Sequence, residues 1–301
     1  ASRIVLGTWQ FDGTTWDGID DAESIKTVHA ALDAGINTLD TAEAYGRSEE
    51  VVGKAVQDRR QDVHLISKLN REPECVRRTV EQSLRRLRTD YIDVYLAHYP
   101  PKTRPWHSVL EELDRLREAG MIRAIGVSNF TRQQMEESLK SVRFDVCEPP
   151  YSILWRQIDQ DGTLEFCRKN EIGVITYSSM AQGLLAGAFL NRQVPEDIHA
   201  KNKLFSPGTF EASNSVAARL KQISEKYGRS MAQVALNWVI ATEGVTAAIA
   251  GAERPWQTQD AVGAVDWEME PSDYAELSDI GMQVSATLDF STNMWSVDPR
   301  V

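Results

Sequence analysis

Asp33-Ala34-Gly35-Ile36-Asn37-Thr38-Leu39-Asp40-Thr41-Ala42-Glu43-Ala44-Tyr45-Gly46 contains an apolar run, Ile36 to Leu39, that ends in a carboxylate, with a tyrosine shortly after it. Short runs that are apolar on both faces read as strands covered by helices. The pattern recurs. His64-Leu65-Ile66-Ser67 ends at Lys68, and Ile92-Asp93-Val94-Tyr95-Leu96-Ala97 ends at His98. In a parallel βα barrel, residues at the carboxyl ends of strands point into the mouth where sites are built. Asp40, Tyr45, Lys68 and His98 then converge from three consecutive strands.

Other strand-like runs are Ile4-Val5-Leu6, Ile122 to Val127, Phe144 to Cys147, Val174-Ile175-Thr176 and Val245 to Ala250, which brings the set to eight. Between them, apolar residues repeat every three or four positions, as in Ala22, Ile25, Val28 and Leu32, or Val76, Val80, Leu84 and Leu87. Leu110, Leu113 and Leu116 make a further stripe, and Met231, Val234, Ala235, Trp238 and Val239 a later one. Ser48 and Thr131 mark helix starts. Gly35, Gly120 and Gly173 stand just past helices, where a left-handed cap favours glycine. Strand–helix alternation predicts a parallel sheet, and eight units predict closure into a single (βα)8 TIM barrel of the α/β class, one domain over 1–301. Ala181 to Ala212, long and rich in Asn, Pro and Gly, is expected to overhang the mouth as a lid or cofactor clasp. From Glu270 a helix-like stretch runs through Ile280, and the polar tail beyond it is also expected over the mouth.

Hydrophobic residues form 42% of the 301, enough for a substantial core and against disorder. The net charge of -11 argues against a nucleic-acid surface, which needs clustered cations. Cys75, Cys147 and Cys167 have neither zinc-ligand spacing nor a disulfide framework, which predicts a reducing compartment. No apolar run is long enough to span a bilayer and Ala1 to Leu6 carries no signal-peptide pattern, so a cytoplasmic protein is expected. Nothing suggests a metal, and oligomeric state leaves no readable trace.

A free phenol has a pKa of about 10, too weak an acid to protonate an alkoxide efficiently near neutral pH. A nearby ammonium lowers it. Lys68 supplies that charge, Asp40 keeps Lys68 charged and oriented, and His98 donates to a substrate oxygen. This set favours carbonyl reduction or the reverse alcohol oxidation, with hydride from a cofactor. A lone Lys–Asp pair is usually structural, and a lone strand-end histidine usually packs; joint placement at one end of the barrel is what decides. A Schiff-base aldolase using Lys68 is the rival chemistry, but Asp40 would keep that amine protonated.

At this point the chain resembles the aldo-keto reductase superfamily over nearly its whole length. The carrying segments are Leu6-Gly7-Thr8-Trp9, Asp33 to Gly46, Ser83 to Leu87 with Asp90 to Asp93, Gly126-Val127-Ser128-Asn129-Phe130 and Gly183-Leu184-Leu185-Ala186-Gly187. The resemblance implies an NAD(P)-dependent oxidoreductase, with Tyr45 as general acid/base, Lys68 and Asp40 as its tuning pair and His98 as carbonyl orienter. It also implies a nicotinamide stacked on Tyr177, its carboxamide near Ser128, Asn129 and Glu148, and Thr8 and Trp9 beside it. Pyrophosphate contacts fall to Ser178, Ser179, Gln182, Leu184 and Gly187. A cofactor-sensing regulatory or scaffold protein with little turnover is the alternative, because some relatives of this fold are channel subunits.

Three departures from the family pattern stand out. Glutamine usually occupies the place of Glu148, and an ionised glutamate only accepts hydrogen bonds where glutamine also donates. Many relatives have proline where Ser179 stands. In the adenosine clamp, Ala250 to Gln257, the implied contacts are Gly251, Glu253, Arg254 and Gln257, and Ala261 replaces a frequent asparagine. A carboxylate such as Glu253 suits a free ribose 2′-hydroxyl and repels a 2′-phosphate. The cofactor is therefore NADP(H) or NAD(H), with these residues leaning towards NAD(H) or dual use. The expected partner is a small carbonyl or alcohol, with Trp9, Tyr99 and Trp155 as substrate-pocket candidates, alongside Trp16.

Overall fold

Eight short strands, each pairing in parallel with the next, close into a barrel in chain order, the last returning to the first. The computed structural model describes residues 1–16, 18–70, 75–289 and 293–295. The strands are β1 Ile4–Gly7, β2 Thr38–Asp40, β3 His64–Leu69 and β4 Ile92–Ala97, followed by β5 Ile122–Ser128, β6 Val146–Glu148, β7 Gly173–Thr176 and β8 Ala247–Gly251. All eight expected runs form strands, three of them trimmed at their amino ends. Ile36 and Asn37 precede β2, Phe144 and Asp145 precede β6, and Val245 and Thr246 precede β8. Each belongs to the turn that brings a helix back to the sheet; Ile36 N, for example, donates to Ala31 O.

The helices are α1 Asp21–Asp33, α2 Ser48–Ala55, α3 Val76–Leu87, α4 Trp106–Glu118, α5 Arg132–Ser138, α6 Gln157–Gln160 and α7 Thr163–Lys169. After these come α8 Thr209–Tyr227, α9 Met231–Ala241, α10 Pro255–Val262 and α11 Pro271–Ser285. Their apolar stripes bury against the barrel wall, as with Val76 and Val80 of α3 and Leu110 and Leu113 of α4. Inside the barrel a second cluster of Val5, Ile66, Leu96, Ile175, Ala247 and Ile249 fills the bore below the mouth.

Two local expectations are corrected. Gly35 and Gly120 take the left-handed conformation, but at the end of α7 it is Glu171 that does so, and Gly173 already belongs to β7. Thr131 caps α5 with a reciprocal bond to Gln134, whereas Ser48 begins α2 without capping it. The Ser48 hydroxyl is spent elsewhere, on Thr8 and Thr41.

The connection from Tyr177 to Gly208 contains only single-turn 3-10 pieces before α8 begins. Residues 293–295 dock onto it: Lys203 N donates to Met294 O at 2.9 Å, and Asn202 pairs with Trp295. The lid and the tail therefore meet over the mouth, as expected for this part of the tail; residues 290–292 and 296–301 lie outside the described residues. Among the described residues, no helix is long and apolar enough to cross a membrane.

Candidate active site

The ends of β7, β8, β1 and β2, neighbours in the barrel, wall a cavity of about 330 Å3, within the size range of small-molecule sites. At the β1–β2 side its walls are Thr8, Trp9, Trp16, Asp40 and Tyr45. Tyr177, Ser178, Ser179 and Gln182 follow β7, and Gly251, Glu253 and Gln257 follow β8. Loops after the seventh and eighth strands are where such barrels commonly hold phosphate.

Lys68 lies beside this cavity, completely buried. Its ammonium donates to both oxygens of Asp40, at 2.6 and 2.5 Å, and to Thr41 O at 3.0 Å. A lone buried lysine would lose its proton to escape desolvation. Here burial pulls the pKa down, but the charges of Asp40 and then Glu148 outweigh it and hold Lys68 above the usual lysine range. Asp40 is raised by its own burial, with Lys68 opposing. A lysine held cationic in this way is a poor amine nucleophile, which removes the Schiff-base reading.

The ammonium sits 5.2 Å from the centroid of the Tyr45 ring. Tyr45 stacks on Trp9 at 6.1 Å and meets the edge of the His98 ring at 5.8 Å, with 78° between planes. The four residues thus form one contact chain, Asp40–Lys68–Tyr45–His98. The turn after β2 sets the tyrosine: Tyr45 N donates to Ala42 O, and Ser48 N donates to Tyr45 O. Gly46 completes it at φ +48°, where a β-carbon would lie 2.4 Å from Asp12 O, so only glycine fits without displacement. Beneath this turn the Ser48 hydroxyl donates to Thr8 O and accepts from Thr41, while the Thr8 hydroxyl donates to Asp40 O. That knot ties β1, β2 and α2 together.

Opposite, Asn129 donates to His98 O and Ser128 Oγ, and Tyr177 donates through its hydroxyl to Asn129 Oδ1 at 2.7 Å. Ser128 in turn donates to Glu148 O. Ser128, Asn129 and Glu148 therefore brace the mouth from behind Tyr177, and only Tyr177 among these four faces the cavity. Gln182 donates to Ser178 Oγ, and both residues are left-handed, with φ of 55° and 53°.

Leu184, Gly187, Arg254, Trp155 and Tyr99 lie away from the cavity walls. Leu184 is core, and Gly187 packs on α9, where a β-carbon would meet Met231 Sδ at 2.8 Å. Arg254 donates to Gly18 O and pairs with Glu23 of α1 at 3.7 Å, leaving Glu253 as the charged wall residue of that segment. Gln257 Oε1 accepts from both Glu253 N and Arg254 N, which fixes this loop. Trp155 is buried in the core, and Tyr99 stacks against His98 at 5.0 Å.

Gln10, Met180, Phe189, His199 and Trp295 are walls that the sequence reading did not name. His199, bonded to Asp197, meets Trp16 edge-on at 5.6 Å, and Trp295 meets Trp9 in the same way. The density of aromatics in the lid and tail was the available signal. Trp16 Nε1 is buried with no hydrogen-bond partner among the described residues; an unsatisfied donor at a cavity wall calls for a polar ligand. Together with the flat face of Tyr177 and the Glu253 carboxylate, it offers a ligand both a stacking surface and hydrogen-bonding groups.

The comparisons with known proteins place this barrel in a family of redox enzymes. Residues 3–281 match the model of the aldo/keto reductase family. The aldo-keto reductase YhdN of Bacillus subtilis (strain 168) is 35% identical, covering 93% of this chain and 90% of its own. The NADH-specific methylglyoxal reductase of Escherichia coli (strain K12) is 31% identical, with 90% and 92% covered. The structure of the glycerol dehydrogenase AKR11B4 from Gluconobacter oxydans superposes with a TM-score of 0.86 at 32% identity, covering 96% of this chain and 94% of that one. The chain belongs to the aldo/keto reductase family, NAD(P)-dependent oxidoreductases.

Proposed function

We propose that the protein interconverts a small aldehyde, ketone or sugar-like carbonyl and its alcohol, with Tyr45 as the proton donor and acceptor. The supporting observation is the buried Lys68 ammonium, clamped by both Asp40 oxygens and set 5.2 Å from the Tyr45 ring at the cavity edge. When bound, the nicotinamide supplies the hydride to the carbonyl carbon or takes it from the alcohol. Tyr45 gives its phenolic proton to the developing alkoxide oxygen, and in the reverse direction the phenolate removes it. Lys68 stabilises the phenolate through its positive charge, and Asp40 keeps that charge in place. His98 orients the substrate oxygen beside the phenol. Trp9, Trp16 and Trp295 exclude water from the same end of the cavity.

Glu253 supports NAD(H) or dual cofactor use, because a carboxylate accepts from a ribose 2′-hydroxyl and repels a 2′-phosphate. Two features agree with it: Arg254 is engaged with Gly18 and Glu23, and the similar Escherichia coli enzyme is described as NADH-specific. The free thiols Cys75, Cys147 and Cys167 suit a reducing, cytoplasmic setting. The test is turnover: NADH and NADPH oxidation against a panel of aldehydes, ketones and sugars, and NAD+ and NADP+ reduction against polyols. No turnover with any member would overturn the reading, and a strong NADPH preference would overturn the cofactor assignment alone.

A further inference from the structure

Glu148 ends β6 and is buried to 2% exposure, yet it does not wall the cavity. Its Oε1 lies 3.4 Å from Lys68 Nζ, on an ammonium already bound by Asp40 at 2.5 Å. Its Oε2 has no hydrogen-bond partner among the described residues. Two nearly fully buried carboxyls thus share one cation, and among the described residues Lys68 is the sole cation paired with either. If both ionised, a net negative charge would be buried without compensation, at high cost.

We propose that Glu148 is a fifth member of the proton-transfer network, a positioning residue that holds a proton beneath Lys68, shared with Asp40, and so sets the charge Lys68 presents to Tyr45. The charged groups facing it are Asp40 from β2 and Lys68 from β3, and the buried Cys147 thiol adjoins it on β6. Its neighbours on β5 and β7 contribute the uncharged Ser128 and Tyr177. Burial first, and Asp40 second, push Glu148 well above the ordinary glutamate range against the pull of Lys68, and Asp40 is itself raised. Like charges around one cation behave in this way: one carboxyl keeps its proton while the other ionises.

A protonated carboxyl also both donates and accepts, as glutamine does, so glutamate is tolerated where relatives usually carry glutamine. The consequence differs from glutamine, because Glu148 can ionise. With Glu148 neutral, Lys68 faces one counter-charge and its remaining field stabilises the Tyr45 phenolate. With Glu148 ionised, a second counter-charge offsets that field, and the phenol holds its proton to higher pH.

Two measurements test this, and only the second rests on the proposed hydride-transfer reading. Infrared spectra of the cofactor-free protein at neutral pH should show a protonated-carboxyl C=O stretch. Glu148→Gln should abolish it. Asp40→Asn should abolish it too, because Glu148 then becomes the only counter-ion of Lys68 and ionises. In kinetics, Glu148→Gln replaces one neutral group with another, so the Tyr45-dependent limb of the pH profile should stay in place in both reaction directions, whereas removing an ionised carboxylate would move it to lower pH by about one unit. A wild-type spectrum without the band, a band that survives Glu148→Gln, or a limb moved to lower pH in that variant would each overturn the proposal. A protein with the band but without any turnover would sink the redox reading and leave the proton assignment standing.

Discussion

At the scale of single residues, Tyr45→Phe deletes one oxygen and keeps the ring that lies between Trp9 and His98. Loss of a positioned acid/base costs about 10²–10⁴-fold, and kcat should fall by that factor while melting temperature and cofactor KM hold nearly steady. A variant that keeps most of its kcat would remove the phenol from the reaction. Glu253→Gln removes a charge from the cavity wall without changing shape; the kcat/KM ratio of NADPH to NADH should rise roughly tenfold, about 1.4 kcal/mol. An unchanged ratio would mean that the carboxylate does not meet the ribose. Asp40, Lys68 and His98 were legible because each directly ends an apolar run, and Tyr45 because it follows the first of them within one turn, so their convergence follows from topology. Ser48 was misread for the opposite reason. Its local setting looks like a helix cap, but Thr8 and Thr41, just past β1 and β2, claim its hydroxyl. Glu148 was seen to depart from its relatives, while its contact with Lys68 across the barrel has no local trace in sequence.

Among elements, the turn joining β2 to α2 has no room for a side chain at Gly46. Gly46→Ala would place a β-carbon 2.4 Å from Asp12 O, at a φ of +48° that disfavours side chains. Relief requires moving the Tyr45 backbone, and a misplacement of about 1 Å can cost roughly 10²-fold in rate. The variant should lose at least tenfold in kcat and also melt earlier, unlike Tyr45→Phe, which should lose rate alone. Thr131→Ala serves as the control at the far side of the barrel. It removes the α5 cap, costing about 1 kcal/mol of stability, and should lower the denaturant midpoint without changing kcat. Helix and strand identities were readable here because the 3.6-residue and both-face-apolar patterns are strong. Boundaries were not: β2 and β6 have three residues each, and the returning helix–strand turns borrow Ile36 and Phe144 from the same apolar runs.

For the whole molecule, closure depends on residues far apart in sequence: β1 and β8 pair from Ile4 with Ala248 to Gly7 with Gly251, and Trp295 reaches Trp9. The first pairing follows once eight βα units are counted. The second does not, because no periodicity links a tail residue to a loop at the opposite end of the chain. The buried charge cluster also has a global signature. Glu148 binds its proton more tightly in the folded chain, through burial and Asp40, than in the unfolded one. Its stabilising share is therefore complete below the usual glutamate pKa of about 4.3. Above that pH the unfolded chain releases the proton while the fold retains it, so stability drains away until the pH passes the folded value. Glu148→Gln lacks this titration. Calorimetry at several pH values should find the variant's melting temperature, relative to wild type, climbing between about pH 5 and 8. A constant offset across that window would mean that Glu148 is ionised in the folded protein, with Lys68 serving two carboxylates at once.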